Sequence, residues 1–283
     1  MTDYVTSRRG DRVAYDRYGP VGGGPAVVLV AGAGSLRGDE AVVAATARLV
    51  AGEGVAVLVP DRLGRGESAA EGRLDLDREV DALRAVVDAA GGHAVLCGHS
   101  SGCSISLYAT AQGVPVDGLV LWEAPLAAGA AATKDWVDGL EERIDAGELE
   151  AAQEWYMKDM PPEWLAGAKA SPAWPAIYAG VVSLRADGQS LRWASAQLES
   201  EALRDQVDVP VLSVYGTSTV PVMTAAAARI RAVLPQTEVR EVPGAHHTWE
   251  PAGFAPVLAG FVRSVAAGAD RGDGRTTEPQ ASA

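Results

Sequence analysis

The sequence predicts an α/β protein built on a mostly parallel sheet with helices on both faces. Short apolar runs such as 26–30 and 55–59 contain no polar residue, which is typical of strands buried on both faces of a parallel sheet. Segments with helical spacing separate these runs, so strands and helices alternate along the chain. A Gly-rich pentapeptide at 98–102 lies between one such run and the next helical segment. Ligands bind these sheets beyond the carboxyl ends of the strands, which places a candidate site at the pentapeptide.

The individual elements follow from apolar periodicity and from the turn residues between them. The segment 13–18 alternates like a strand and is followed by Gly and Pro, and a Gly-Gly-Gly-Pro turn at 22–25 separates it from the next run. Predicted strands cover 13–18, 26–30, 55–59, 93–97, 119–122, 209–215 and 238–242, and predicted helices cover 40–52, 76–90, 101–111 and 221–234.

Residues 127–206 interrupt this alternation. The stretch is too long for a loop in a compact domain, and its Asp-, Glu- and Trp-containing segments have helical patterning. We interpret it as a helical lid inserted into a core formed by 1–126 and 207–267. Residues 268–283 contain mostly Gly, Asp, Arg, Thr, Pro and Gln without periodicity, which predicts a disordered tail.

Composition and charge exclude several classes of protein. The 283 residues suffice for one large core or a core with a small accessory domain. The chain has 37 acidic and 24 basic residues and a net charge of −13, which argues against binding to nucleic acid or to an anionic membrane. No run approaches the roughly 18 apolar residues that a membrane span needs. No group of His, Cys and carboxylate residues has the spacing of metal ligands, so we expect neither a metal nor another cofactor.

The two cysteines, Cys97 and Cys103, flank the Gly-rich pentapeptide, where a disulfide would distort the turn. We therefore expect both to be reduced and buried. The first nine residues lack the apolar segment of a signal peptide. These features predict a cytoplasmic protein, and nothing in the sequence specifies its oligomeric state.

The pentapeptide at 98–102 (Gly-His-Ser-Ser-Gly) has the pattern of a nucleophile elbow. Such a turn swings a serine sharply from a strand into a helix, with its backbone near positive φ. Close packing on both sides leaves room only for small residues two before and two after the serine, as with Gly98 and Gly102. The strand before and the helix after indicate Ser100 as a nucleophile, whereas a plain Gly/Ser turn is the alternative.

A second Gly-rich turn at 31–34 (Ala-Gly-Ala-Gly) follows the strand 26–30. A turn at this place can direct backbone N–H groups at an oxyanion, so the N–H groups of Ala33 and Ser101 are the candidate oxyanion-hole donors. Gly32 and Gly34 are expected to contact the substrate. The alternative is a glycine turn without a catalytic role.

The candidate general base comes from residues 244–247 (Gly-Ala-His-His), which follow the last predicted strand. The order nucleophile, acid, histidine is the one that this architecture requires. His247 occupies the place of the histidine in the common Gly-Ala-Gly-His pattern, and His246 stands where its glycine would be. We expect His247 to be the base and His246 to contact the substrate, with His246 as the alternative base.

The candidate acid is displaced from its usual loop. That loop follows the strand 209–215 and reads Gly-Thr-Ser-Thr-Val-Pro at 216–221, without a carboxylate. A neutral hydroxyl there could not stabilise the imidazolium that forms during catalysis. Glu123 follows the strand 119–122, and a glutamate at the buried carboxyl end of a strand is costly unless it is paired. Glu123 is therefore the candidate third member of the triad.

With these motifs the chain resembles the α/β-hydrolase superfamily over about residues 4–266. Residues 61–68 (Asp-Arg-Leu-Gly-Arg-Gly-Glu-Ser) are similar to the superfamily's Asp-x-x-Gly-x-Gly-x-Ser loop, and Glu250 with Pro251 is also typical. The resemblance implies an α/β-hydrolase fold with a mostly parallel eight-stranded sheet, helices on both faces and an inserted helical lid. Two features differ from the common pattern. Ala31 stands where many members carry His, and the displaced acid resembles that of lactone-opening enzymes of the zearalenone hydrolase type.

The resemblance and the triad predict a serine hydrolase that cleaves a carboxylic ester or lactone through an acyl-enzyme. A serine nucleophile argues against the superfamily's dehalogenases and epoxide hydrolases, which need a carboxylate. The alternatives are other chemistry on the same triad, such as C–C bond hydrolysis or perhydrolysis, and a non-catalytic receptor that binds a lactone.

The aromatic residues suggest the kind of substrate. The chain has seven Trp against two Phe, and binding sites are mostly lined by apolar and aromatic side chains. We expect Trp122, Trp174 and Trp249 to contribute to binding of a bulky apolar or aromatic ester or lactone. The alternative is that the rings bury the lid helices on the core. Five of the seven lie within 127–206, namely Trp136, Trp155, Trp164, Trp174 and Trp193.

Overall fold

The computed structural model describes residues 2–22, 24–38 and 41–273. Within these residues one nine-stranded sheet runs through the molecule in the order β1-β2-β4-β3-β5-β6-β7-β8-β9. The strands are β1 (Thr2–Thr6), β2 (Arg12–Tyr18), β3 (Ala26–Val30), β4 (Ala56–Pro60), β5 (Ala94–His99), β6 (Val116–Trp122), β7 (Val211–Ser218), β8 (Thr237–Ala245) and β9 (Thr248–Trp249).

The sheet is mostly parallel, as predicted, and antiparallel pairs occur only at its two edges among the described residues. Strands β4, β3, β5, β6, β7 and β8 pair in parallel, whereas β1 with β2, β2 with β4 and β8 with β9 pair antiparallel. The expectation of eight strands is wrong by one. The chain turns back after His247, and the two residues of β9 pair with Gly244 and Ala245 of β8.

Helices cover both faces of the sheet, which confirms the predicted layers. Along β3, Val28 and Val30 point to one face while Val27 and Leu29 point to the other, and all four are buried. The first face is covered by α2, α3, α8 and α9, and the second by α1 and α10. These helices are α1 (Ala41–Gly52), α2 (Leu76–Ala90), α3 (Ser101–Ala111), α8 (Arg185–Glu199), α9 (Pro221–Val233) and α10 (Pro251–Asp273).

The segment 127–206, which we call the insertion, connects β6 to β7 and is helical. Residues of α4, α5 and the following short helical turns form a separate apolar cluster around Leu140, Tyr156 and Leu184. By contrast, α8 packs on α3 and joins the main core, so the insertion is anchored on the helix that follows the elbow. Besides α8 it contains α4 (Ala130–Asp145), α5 (Leu149–Met157), α6 (Pro162–Ala170), α7 (Trp174–Ala179) and two 3-10 turns (Gly180–Leu184 and Ala202–Asp205).

The C-terminal helix α10 (Pro251–Asp273) extends into the segment predicted to be a disordered tail. Residues 268–273, assigned above to the tail, continue α10, because the preceding Ala-rich residues favour a helix and outweigh the single Gly268. Residues 274–283 lie outside the described residues. No helix in the described part of the chain is long and apolar enough to cross a membrane.

Candidate active site

Ser100 occupies a tight turn between β5 and α3. Its φ of 54° and ψ of −126° are strained for a residue with a side chain, and its N–H donates to the Trp122 carbonyl at 3.0 Å. A Cβ at Gly98 would lie 2.5 Å from the Cys103 nitrogen, and one at Gly102 would lie 2.1 Å from the Val30 oxygen. Only glycine fits at these two positions, and the backbone has the geometry predicted for a nucleophile elbow.

Glu123 follows β6 directly beside the elbow. Strands β5 and β6 are paired so that His99 lies opposite Trp122, and Ser100 and Glu123 therefore leave the sheet side by side. Glu123 has a φ of 45° and a side chain that is 3% exposed, and its N–H donates to the Val214 carbonyl at 2.8 Å. A non-glycine residue in this conformation is held there by its surroundings.

Both carboxylate oxygens of Glu123 have a partner. Oε2 lies 2.6 Å from Nδ1 of His247, and Oε1 accepts the Gly216 N–H at 3.0 Å. Burial raises the pKa of Glu123, but the hydrogen bonds from His247 and Gly216 outweigh it and hold the pKa below its usual value. Because an ionised carboxylate only accepts, Nδ1 of His247 donates, and Nε2 is left as the nitrogen that can take a proton.

The structure brings His247, and not His246, to the acid. Both residues have left-handed backbones, with φ of 64° for His247 and 54° for His246. The His247 side chain is 20% exposed and contacts Glu123, whereas His246 is exposed at the surface. The alternative of His246 as the base therefore has no support in this geometry.

Backbone strain concentrates at this place. Five non-glycine residues in the described part of the chain have positive φ, and four of them are Ser100, Glu123, His246 and His247. Each such residue costs on the order of 1–3 kcal/mol and persists only where the surroundings impose it. Three of these four are the residues that the sequence grouped as a triad, and the fourth, His246, directly precedes His247.

His99, within the elbow, supports His247. Its Nε2 lies 2.8 Å from the His247 carbonyl oxygen, and the two rings are 4.9 Å apart. Burial, with the nearby His247 ring, lowers the pKa of His99 to about 4. A neutral His99 with its proton on Nε2 donates to that carbonyl and helps to hold the left-handed backbone of His247. The position of His99 inside the elbow favours a structural or pocket-lining residue, and its bond to the His247 carbonyl is a structural contact.

The Gly-rich turn at 31–34 lies against the nucleophile. A Cβ at Gly32 would lie 3.0 Å from the Ser100 Cβ, so the close approach requires glycine. Gly34 has a φ of 73°, which also favours glycine. Among the residues that the structure describes, the N–H of Ala33 has no acceptor, as an oxyanion-hole donor would require.

Trp122 does not contribute a wall to the site in this structure. Side chains alternate along β6, so Trp122 points to the face that α10 covers and is completely buried there. Its ring lies 5.2 Å from the rings of both Trp249 and Phe254. The expectation of a substrate-binding Trp122 is therefore wrong, and the residue belongs to the core.

The other two candidate tryptophans also have packing partners. Trp249 donates its indole N–H to Thr46 at 2.7 Å and packs edge-on to His99. Together with His99 it borders a cavity of about 20 Å³, which has room for one water but not for an aromatic group. Trp174 is buried within the insertion and donates to Glu150 at 2.7 Å. Both rings thus have packing and hydrogen-bonding partners, and their contribution to substrate binding stays a prediction.

A buried group of charges beside the elbow is the feature that the sequence analysis missed. Asp187 of α8 is completely buried and accepts from Arg62, Arg65 and Ser101. Arg62 also binds Glu79 of α2, with its Nε 2.8 Å from Oε1. The two arginines belong to the 61–68 motif, so two cations in a buried loop were a signal that carboxylates must lie nearby. Nothing in the sequence indicated which carboxylates.

Comparison with known proteins agrees with this architecture. A model of the alpha/beta hydrolase family matches residues 27–257. A search of characterised protein sequences finds no significant match. An alpha/beta hydrolase from Sphaerobacter thermophilus is 28% identical, with a TM-score of 0.72 over 92% of this chain and 99% of that chain.

More distant structures share the fold. A thermophilic esterase from Thermogutta terrifontis is 19% identical, with a TM-score of 0.62 over 94% of this chain and 99% of that one. A haloalkane dehalogenase variant from Bradyrhizobium elkanii is 18% identical, with a TM-score of 0.64 over 96% of this chain and 99% of that one. At these identities the likeness is one of fold, and enzymes with different chemistry share it.

Proposed function

Since the chain belongs to the alpha/beta hydrolase family, we propose that it is a serine hydrolase that cleaves a carboxylic ester or lactone. The observation that carries the proposal is the 2.6 Å contact between His247 Nδ1 and Glu123 Oε2, next to a strained serine at the start of α3. An acid, a base and a nucleophile with these roles are the minimal set for acyl transfer through a serine.

In the proposed reaction, Ser100 Oγ attacks the carbonyl carbon while His247 Nε2 takes its proton. Glu123 keeps the other proton on Nδ1 and stabilises the imidazolium that forms. The imidazolium then protonates the leaving alkoxide, and an acyl-enzyme is left on Ser100. Water, activated by the same His247, attacks the acyl group and releases the acid. In a lactone the alkoxide and the acid are parts of one product.

The N–H groups of Ala33 and Ser101 are the proposed donors to the tetrahedral oxyanion. Ser101 starts α3, so its N–H lies at a helix N-terminus, where the backbone favours negative charge. Ala33 lies in the turn whose Gly32 touches Ser100. The two proposed donors thus come from two different turns, both next to the nucleophile.

Replacement of the nucleophile tests this proposal. Ser100→Ala should lower kcat for aryl ester hydrolysis by about 10⁴-fold or more, and should abolish labelling by a fluorophosphonate probe. Ser106→Ala is the matched control, because Ser106 is a buried serine of the same helix that bonds only to the Gly102 carbonyl. Turnover or labelling of Ser100→Ala at the control's level would reject Ser100 as nucleophile.

The insertion supports a bulky apolar or aromatic substrate for the same site. Ala33 and the half-buried rings of Trp136 and Trp155 all pack against the apolar cluster of the insertion. Trp136 also lies 5.1 Å from the ring of Tyr156. An apolar wall beside a proposed oxyanion donor favours substrates with a large apolar group next to the carbonyl.

The substrate class is tested by kcat/KM along a series from acetate esters to aryl esters and macrocyclic lactones. We expect preference for the larger substrates, and Trp136→Ala should reduce it by about tenfold, as loss of apolar contact predicts. Trp193→Ala is the control, since Trp193 packs on Tyr108 of α3 and not on the cluster that contains Ala33. A preference for acetate that persists in Trp136→Ala would contradict this assignment.

A further inference from the structure

We propose that Asp187 and Arg65 are positioning residues that hold both donors of the oxyanion hole in place. The inference rests on the proposed function, because it concerns the same reaction. Asp187 lies on α8 of the insertion, yet it is completely buried beside the elbow. Its contacts reach both turns that supply the proposed donors.

The first contact is with the residue after the nucleophile. Ser101 Oγ donates to Asp187 Oδ1 at 2.6 Å, and Ser101 is itself completely buried. This short bond to a carboxylate fixes the side chain of Ser101, and with it the first turn of α3. The N–H of Ser101 is therefore held in one direction relative to Ser100.

The second contact passes through Arg65. Nη2 of Arg65 lies 2.7 Å from Asp187 Oδ2, and Nη1 donates to the Gly32 carbonyl at 2.6 Å. The Gly32 carbonyl and the Ala33 N–H belong to one planar trans peptide and point in opposite directions. When Arg65 holds the carbonyl on one side of the turn, it fixes the N–H of Ala33 on the other side.

Arg62 completes the arrangement. Its Nη1 and Nη2 lie 2.7 Å and 3.1 Å from the two oxygens of Asp187, and Nη1 also lies 3.2 Å from the Ala31 carbonyl. Glu79 binds the Nε of Arg62, so two arginines face two carboxylates and the buried charges balance. Burial raises the pKa of Asp187, but Arg62 and Arg65 outweigh it and hold the pKa below its usual value. Asp187 is thus a fixed negative charge that orients both arginines.

One carboxylate from the insertion therefore ties the turn at 31–34 to the start of α3. If this network positions the donors, its loss should weaken stabilisation of the oxyanion more than binding of the intact substrate. Loss of a network that only stabilises the fold would not weaken oxyanion stabilisation more than substrate binding. The difference between kcat and KM, and the affinity for an oxyanion mimic, separate the two roles.

The test uses Arg65→Met, with Arg65→Lys and Ser101→Ala as milder variants. We expect Arg65→Met to lower kcat for an aryl ester by about 10²-fold with less than about threefold change in KM, the size seen for loss of an oxyanion donor. The kcat of Arg65→Lys should lie between that of Arg65→Met and that of the wild type, because the single nitrogen of lysine cannot occupy the places of both Nη1 and Nη2. Ser101→Ala keeps the backbone N–H and should cost about tenfold in kcat.

The oxyanion mimic is an aryl trifluoromethyl ketone. Ser100 Oγ adds to its carbonyl carbon, the serine proton passes to His247, and the carbonyl oxygen becomes an oxyanion. The inhibition constant of this ketone should rise in each variant by the same factor by which kcat falls. The control is Arg185→Met, which removes a different buried arginine, the first residue of α8, whose partners are Glu141 and Asp145.

The outcomes are distinct. If Arg65→Met and Ser101→Ala match Arg185→Met in kcat and in ketone affinity, the positioning role is wrong while the proposed function stands. If the wild type neither hydrolyses esters nor forms the ketone adduct, the proposed function is wrong, and this inference is wrong as well. A fall in kcat that tracks the loss of ketone affinity, with KM preserved, supports the assignment.

Discussion

Glu123 and Asp187 are both buried carboxylates beside the same elbow, but their surroundings differ. Glu123 faces a histidine, a partner that gains and loses a proton during the proposed reaction. Asp187 faces two arginines, which stay charged at any working pH. The partner, and not the burial, thus separates a carboxylate that assists proton transfer from one that holds a fixed charge.

The backbone makes the same distinction. Glu123 has a left-handed conformation at the end of β6, and its partner His247 also has a positive φ. Asp187 lies in the regular α8 helix without backbone strain. Of these two buried carboxylates, the one with the strained backbone is the one proposed to take part in the reaction.

The largest expected effect is on Glu123. Glu123→Gln should lower kcat by about 10⁴-fold, because the amide no longer stabilises the imidazolium or enforces the tautomer of His247. Kinetics on an aryl ester would measure it, with Asp205→Asn and Asp208→Asn as controls, since both aspartates are exposed and outside the site. If Asp208→Asn were the crippling change instead, the assignment of the acid would be wrong.

The second effect should be on stability. Asp187→Asn leaves two buried arginines with one carboxylate, and loss of one partner of a buried ion pair typically costs about 3–5 kcal/mol. Urea unfolding would show this as a lower midpoint, whereas Asp138→Asn, at an exposed ion pair, should leave the midpoint unchanged. An unchanged unfolding midpoint for Asp187→Asn would contradict the conclusion that the two arginines hold Asp187 as a fixed negative charge.

The smallest effect concerns His99, the neutral neighbour of the proposed catalytic histidine His247. Because its pKa falls to about 4 on folding, the unfolded chain binds a proton between about pH 6.5 and 4 that the native protein does not. Stability is then highest above about pH 6.5 and falls as the pH drops. We expect this residue, whose ring is partly accessible, to lower the free energy of unfolding by about 1–2 kcal/mol between pH 7 and pH 5.

Urea unfolding at pH 7 and pH 5 would measure this pH-dependent change in stability. The wild type is compared with His99→Gln, which keeps a donor near the His247 carbonyl but does not titrate. This pH range lies above the pH at which Glu123 takes up a proton. The lowered pKa of Glu123 therefore changes the stability only in more acidic solution. His93→Gln is the control, since His93 is exposed. Equal pH dependence in the wild type and His99→Gln would contradict a buried neutral His99.

The sequence predicted the parts of the fold and site that local patterns encode. The apolar runs located the central strands, and the glycines around Ser100 predicted a turn that the structure shows to be too crowded for any other residue. The absence of a carboxylate at 216–221 pointed to Glu123, which the structure places against His247. The strands and the turn depended on residues within one element, and the acid on a comparison of two loops that each follow a predicted strand.

The failures involve contacts between distant segments. Asp187 meets Arg62 across 125 positions, and no pattern near Asp187 differs from that of an ordinary helix residue. Trp122 lies next to Glu123 in the chain, but the alternation along β6 sends its ring to the opposite face of the sheet. β1 was missed because its residues are mostly polar and only partly buried at the edge of the sheet. Contacts between segments that are distant in the chain determine the partners of Asp187, the place of the Trp122 ring and the pairing of β1.

The location of the acid has a consequence for protein engineering. Ser100 and Glu123 follow neighbouring strands joined by a hydrogen bond from the Ser100 N–H to the Trp122 carbonyl, so their spacing does not depend on the loop between β7 and α9. Glu123 accepts the N–H of Gly216 near the end of β7, and within that loop the Thr219 side chain lies close to its carboxylate. Exposed residues farther along it, such as Val220, can therefore be varied in a library aimed at new selectivity while the reactive groups keep their places.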